Sequence, residues 1–166
     1  MTAPTEFARP LPVDRVRAGG LVQTVTATAA ECAALAERLG VPGVLALAAT
    51  FRLHHDGAGR IAATAQLTGR LVRDCVLTLE PFETDIAEDF AVVFVPAATL
   101  GEAIGLTGDD EIPYAADTID LGEATAEQVA LTLDPYPHGP GAALPEAATE
   151  QPRSAFAVLA ERRQRS

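Results

Sequence analysis

The chain predicts an α+β fold: a mainly antiparallel sheet with a long central hairpin, packed by two or three short helices. Three observations carry that expectation. Two β-rich runs, Val44 to His55 and Arg60 to Thr78, flank Asp56-Gly57-Ala58-Gly59, a strong hairpin turn signal. Helical apolar spacing occurs only in short stretches that follow a capping-box spacing. The 166 residues suffice for one core, but with six Phe, two Tyr and no Trp that core must be built from Leu, Val, Ile and Ala.

Each element follows from local chemistry. Phe7 to Val16 alternates apolar and polar residues but holds Pro10 and Pro12, so it reads as an edge strand or extended arm that ends at Gly19-Gly20. Leu21 to Ala27 is β-branched and alternating, hence a strand. Thr28 and Glu31 have capping-box spacing and open a helix. Cys32, Leu35, Ala36 and Leu39 form its apolar face, and Gly40 with Pro42 stops it. The two hairpin runs come next, with Gly69 marking a bulge or bend in the second.

Leu79-Glu80-Pro81 interrupts the ladder before a strand from Phe82 to Val95, whose last six residues, Phe90 to Val95, read as largely buried. The stretch 96–117, poor in apolar residues, reads as an acidic loop. Asp120 to Glu123 repeats the capping spacing and Thr125 to Gln128 offers a second helix start. Val129, Leu131 and Leu133 then lead to a stop at Asp134-Pro135-Tyr136-Pro137. Residues 1–138 are thus expected as a single domain. Residues 139–166 are expected as a Pro, Ala and Gly-rich linker followed by a short docking helix around Phe156 to Leu159 with a basic end.

The charge is split along the chain. The formal net charge is −11 and every cation is Arg. Eight arginines fall between Arg9 and Arg73, whereas 74–151 contains no Arg or Lys and seventeen of the twenty-three acids. Such a surface repels phosphate backbones and attracts basic proteins. No run nears the roughly 20 apolar residues of a membrane span, and the N-terminus lacks a basic region leading into an apolar one, so the expectation is a cytoplasmic protein. Cys32 and Cys75, without a Cys-x-x-Cys pattern, read as buried free thiols.

The residue kit of an enzyme is missing. His54 and His55, neighbours on a strand, point to opposite faces and cannot grip one ion; His138 is the third and last histidine. Serine occurs only at Ser154 and Ser166, in no Gly-x-Ser-x-Gly turn, and there is no lysine for a phosphate loop. Asp109-Asp110-Glu111 reads as a solvated acidic run rather than an acid/base pair. Arg52, Arg60, Arg70 and Arg73 are the candidates for a phosphate-contacting stripe along the hairpin, set against the alternative of ordinary cross-strand partners.

The stretch Leu67-Thr-Gly-Arg-Leu-Val-Arg-Asp-Cys75-Val-Leu-Thr-Leu79-Glu80-Pro81-Phe82 resembles the YceD family of large ribosomal RNA subunit accumulation proteins. So do Ala27 to Gly40, Ile119-Asp120-Leu121-Gly122-Glu123, Glu127-Gln128-Val-Ala-Leu131, Asp134-Pro135-Tyr136-Pro137 and Ser154 to Leu159, in the same order along the chain. The resemblance implies a part in the accumulation of large-subunit ribosomal RNA and no catalytic residue. Many relatives carry a Cys-x-x-Cys beginning at the position of Cys75 and a further cysteine cluster, which look like a zinc site. Here Leu77-Thr78 follows and 135–140 has no Cys, so no metal or other cofactor is expected.

Cys75, Leu77 and Leu79 read as one face of a strand, with Glu80-Pro81 as its corner, so Cys75, Leu79, Glu80, Pro81, Asp120, Leu121, Glu127, Tyr136 and Pro137 are expected to serve the fold. The expected contact surface is the acidic stretch from Glu102 through Asp109, Asp110 and Glu111 to Glu127. The leading expectation is a non-enzymatic ribosome biogenesis factor whose partner is a precursor particle, a ribosomal protein or large-subunit RNA, with no small-molecule substrate. The rival readings are a direct RNA binder using the arginine-bearing hairpin, an RNA-processing enzyme, and an acidic adaptor unconnected with ribosomes.

Overall fold

A computed structural model describes residues 6–99 and 110–143 and gives the chain an α+β fold. A proline-bearing arm forms β1 (Pro10–Pro12), followed by β2 (Leu21–Thr26), α1 (Ala29–Leu39), β3 (Gly43–His55), β4 (Ile61–Asp74) and β5 (Pro81–Pro96). Then come β6 (Asp110–Tyr114), β7 (Thr118–Asp120) and α2 (Leu121–Thr132). Strands β2, β3, β4 and β5 lie side by side in antiparallel order, and β6 joins the far side of β5 in parallel. The arm strand β1 pairs antiparallel with β7 in a separate two-stranded sheet.

The period of two sorts the central sheet into faces. In β4, Ile61, Ala63, Ala65, Leu67 and Leu71 are buried, while Thr64, Gln66, Thr68 and Arg70 are exposed on the other side. Both helices contribute to the core on the buried side: α1 offers Cys32, Leu35 and Ala36, and α2 offers Leu121, Ala124, Ala126 and Val129. Phe7 of the arm is fully buried in the same core. The opposite face is exposed and mostly polar, and on it the Thr24 and Thr50 hydroxyls meet at 3.0 Å.

Helix α1 begins as its sequence requires. Thr28 Oγ1 accepts from the Glu31 N–H, and Glu31 Oε2 accepts from the Thr28 N–H at 2.7 Å, completing the capping box; Gly40 closes the helix in the left-handed region at φ +64°. Helix α2 uses the first of its two possible starts. Asp120 Oδ1 accepts from the N–H groups of Gly122 and Glu123 and, across the fold, from Arg9 N–H at 2.8 Å. Glu123 does not reach back to complete a box, because its carboxylate is held by Arg38 at 2.5 and 2.8 Å. Arg38 also reaches Glu6, and Arg9 binds both oxygens of Glu31, so two arginines tie the arm to both helices.

Several boundaries differ from expectation for physical reasons. The strand ends at Asp74, not Thr78, because Cys75 to Glu80 closes a turn in which Cys75 N–H bonds to Glu80 O and Leu79 N–H to Cys75 O. Cys75, Leu77 and Leu79 therefore do not share a strand face. The bulge lies in β3, where Leu45 is the extra residue between Val44 and Ala46; Gly69 instead gives room, since a Cβ there would meet Ile86 Cγ1 at 3.0 Å and Ala46 O at 3.2 Å.

Of the six residues Phe90 to Val95, only Val92 to Val95 are buried; Phe90 is half-buried and Ala91 exposed. The stretch 96–117, expected as an acidic loop, holds strand β6, an edge strand that tolerates Pro113 and is anchored by Tyr114, whose hydroxyl donates to Gly59 O at 2.6 Å. Leu131, one of the apolar residues that lead to the stop of α2, is 73% exposed. Gly139, expected in a linker, lies against Cys75 and Phe82. The expected docking helix near Phe156 falls outside the described residues.

Candidate functional site

Strand β5 extends beyond the described part of its neighbour on one side. β4 pairs with it from Pro81 to Phe94, but β6 pairs only with Val92 to Pro96. From Pro81 to Ala91, therefore, β5 has no strand on its second edge among the described residues. The two faces of this stretch differ in chemistry. Glu83, Asp85 and Asp89 are exposed and share the sheet face of Gln66 and Arg70, while Phe82, Thr84, Ile86 and Phe90 are half-buried on the other face, with exposed Glu88 among them.

Phe90 meets Phe51 edge-on at 5.8 Å, so its ring is a fixed part of the core margin. Asp85 holds Arg70 through both oxygens, at 2.7 and 3.4 Å, and this guanidinium keeps its carboxyl below the ordinary range. Glu83, Glu88 and Asp89 make no ion pair among the described residues.

The four candidate arginines are not brought together. Arg52 is exposed on β3 opposite Thr64, and Arg70 lies six residues further along β4, roughly 20 Å away by strand rise. Arg73 has the opposite strand parity, facing Phe82 across the ladder, and donates to Asp134 O. Arg60 pairs with Glu111 at 3.0 Å and, more loosely, with Asp56 at 3.8 Å. Three of the four are thus occupied by oxygens of this chain, which leaves Arg52 as the one without a polar partner among the described residues.

The expected acidic surface is divided. Glu102 and Asp109 lie outside the described residues, Asp110 opens β6, and Glu111 is engaged by Arg60. Glu127 is exposed on α2, yet its carboxyl is pushed up, first by partial desolvation and then by Glu123. The acids of β5 were not singled out by sequence reasoning. Their signal was the alternation of Glu83 and Asp85 with Phe82, Thr84 and Ile86, but only the pairing of β6 from Val92 onward shows that the edge beside them has no strand among the described residues.

The expected structural residues also divide. Asp120 caps α2, Leu121 is 1% exposed, Pro81 starts β5, and Pro137 O accepts from Val76 N–H. Glu80 contributes its carbonyl to the turn. Leu79, by contrast, is 79% exposed with φ at +59°, a left-handed conformation that costs a non-glycine residue on the order of 1 kcal/mol. Tyr136 is 69% exposed.

Cys75 is 1% exposed but lies outside the contiguous core, shielded by its own turn. Its thiol is drawn down to about 6, first by the Thr78 hydroxyl and then by backbone N–H groups led by Gly139. Burial pushes the other thiol, Cys32, up. Both are free. Among the described residues no three His, Cys, Asp or Glu side chains converge as metal ligands.

The family described as large ribosomal RNA subunit accumulation protein YceD matches residues 63–161, a span that begins in β4 and takes in β5, β6 and α2. No curated protein and no solved structure matches the chain.

Proposed function

The chain belongs to the YceD family of large ribosomal RNA subunit accumulation proteins, and from that premise we propose that it is a non-enzymatic, cytoplasmic assembly factor that holds a basic partner. The family name ties the chain to accumulation of large-subunit ribosomal RNA. The partner is read from the surface: a ribosomal protein, or a precursor particle that displays one, in which arginine and lysine side chains seek carboxylates.

One observation carries this reading. The acids of the open stretch of β5 are mostly unpaired, whereas three of the four hairpin arginines are engaged by the chain's own oxygens. A surface so arranged attracts cations over distances near the Debye length, about 8–10 Å in ordinary buffers, and repels bare RNA. No described helix is long and apolar enough to cross a membrane.

The test is capture. Immobilised protein is expected to retain basic ribosomal proteins or precursor large subunits from lysate at low salt and to release them as salt rises, and deletion of the chain is expected to lower large-subunit RNA. Naked precursor RNA bound by the isolated protein, with the binding lost in Arg52→Glu, would instead favour an RNA-binding hairpin. Retention of neither class, with large-subunit RNA unchanged on deletion, would overturn the reading.

A further inference from the structure

We propose that the open edge of β5 from Pro81 to Ala91 takes an extended peptide alternating basic and apolar residues, adding it to the sheet as a further strand. This rests on the reading above and specifies where and how the basic partner is held.

The backbone supplies the first argument. A strand with one free edge presents alternate N–H and C=O groups that want partners, and an added strand satisfies them as a ladder does. Eleven residues of β5 lie in this state among the described residues, from Pro81 to the point where β6 begins to pair at Val92. An incoming strand would lie end to end with β6 along the same side of β5, and so displaces nothing described.

The side chains supply the second. An added strand places its own alternate residues beside those of β5, one set on each face. On one face its neighbours would be Glu83, Asp85 and Asp89; on the other, half-buried Phe82, Ile86 and Phe90, with Glu88 interposed. Cationic residues suit the first face. Apolar residues suit the second, where they would cover apolar area that β5 leaves partly wet. Arginine alone would satisfy only half of this edge.

The manner in which the edge is guarded supplies the third. Edges that need only protection against self-association carry lysine, inward charges, bulges or a cover. Here Pro81 guards one end, and the charges between it and Ala91 are all negative. They repel an identical edge on a second copy and admit a cationic strand.

The experiment uses the full chain and a fluorescent peptide of about ten residues alternating arginine with valine. The controls are the same residues in two blocks, and the alternating peptide N-methylated at every second amide. The alternating peptide is expected to bind, and both controls to bind roughly tenfold more weakly or worse. The double reversal Glu83→Lys, Asp89→Lys is expected to weaken binding roughly tenfold with the circular dichroism spectrum unchanged, while Glu37→Lys on α1 changes it less than about twofold.

Equal binding of all three peptides would overturn the inference, since it would mean attraction of charge alone. So would protection of alternate amides between Phe82 and Ala91 from hydrogen exchange in the free protein, since the edge would then already be covered. Preference of this edge for a single-stranded RNA probe, or self-association abolished by the same reversal, would overturn it as well. If basic ribosomal proteins are still captured in full by the reversed variant, the inference fails while the proposed function stands; if the wild-type chain captures none, the proposed function itself fails.

Discussion

Replacing Glu31 removes one carboxylate that secures two elements, and its contacts set the size of the effect. Oε2 accepts from the Thr28 N–H at 2.7 Å and the Thr28 hydroxyl at 3.0 Å, and the two oxygens receive Arg9 at 2.6 and 2.8 Å. Loss of the carboxylate half of the capping box costs about 1 kcal/mol, and loss of a partly exposed bidentate pair up to about 1 kcal/mol more. Solvent reaches the pair, whose side chains are 31% and 22% exposed, so these mutational scales and not the full titration shift set the magnitude. Glu31→Ala is therefore expected to cost about 2 kcal/mol, roughly 4–8 °C in Tm for a chain of this size. Glu31→Gln keeps an acceptor for Thr28 and is expected to cost about half as much.

The same carboxylate predicts a pH dependence. Arg9 and the Thr28 backbone hold the Glu31 carboxyl at about 2, against 4.5 when free. A depressed folded-state value means that the charge contributes fully above 4.5 and loses its contribution as pH falls toward about 2. The stability gap between wild type and Glu31→Gln should be full near neutrality and shrink through that window. Urea unfolding followed by circular dichroism at a series of pH values measures it. An unchanged Glu31→Ala midpoint at neutral pH, or a gap that widens on acidification, would refute the argument.

Gly122→Ala should be far worse than a helix alanine ordinarily is, because the new Cβ would sit 2.2 Å from Phe7 O; a loss of about 3 kcal/mol or more is expected in thermal unfolding. Asp120→Ala should cost about 2 kcal/mol, since three N–H donors lose one acceptor, and Asp120→Asn, which keeps an oxygen, should cost less in the same assay. Titration of the folded protein by ultraviolet thiolate absorbance should show a step near pH 6 that vanishes in Cys75→Ser, with Cys32 ionising above the ordinary thiol value. Absence of the low step would show that the Thr78 and Gly139 donors do not stabilise the thiolate.

Local chemistry made much of this fold legible. The box at Thr28 and Glu31, the stop at Gly40 and the Asp56 to Gly59 hairpin turn are decided within a few residues, and each stands where its residues predict. What escaped depends on partners distant in the chain. Asp110 to Tyr114 has too few apolar residues to announce a strand, and it is one because β5 lies alongside. Leu131 is apolar and lies between Val129 and Leu133, yet it faces water, because on a helix a residue two positions from Val129 turns away from the face that Val129 buries. The acids of β5 were visible as charges, yet their standing beside an edge with no strand among the described residues depends on where β6 begins to pair, at Val92, which no local pattern records. Whether Arg60 and Arg70 are free for phosphate or held by other strands likewise depends on Glu111 and Asp85, which meet them only in the folded sheet.

The hydrogen bond from Arg9 to Asp120 spans 111 positions, and it bears on how the molecule is made. As the polypeptide leaves the ribosome, β2 to β5 can pair as they emerge, because each is the next one's neighbour in sequence. The opening segment has no such luck: its dock is the start of α2, synthesised more than a hundred residues later. Phe7 can therefore reach its full burial only after α2 has been made, which makes closure of the core around the arm a late step of folding.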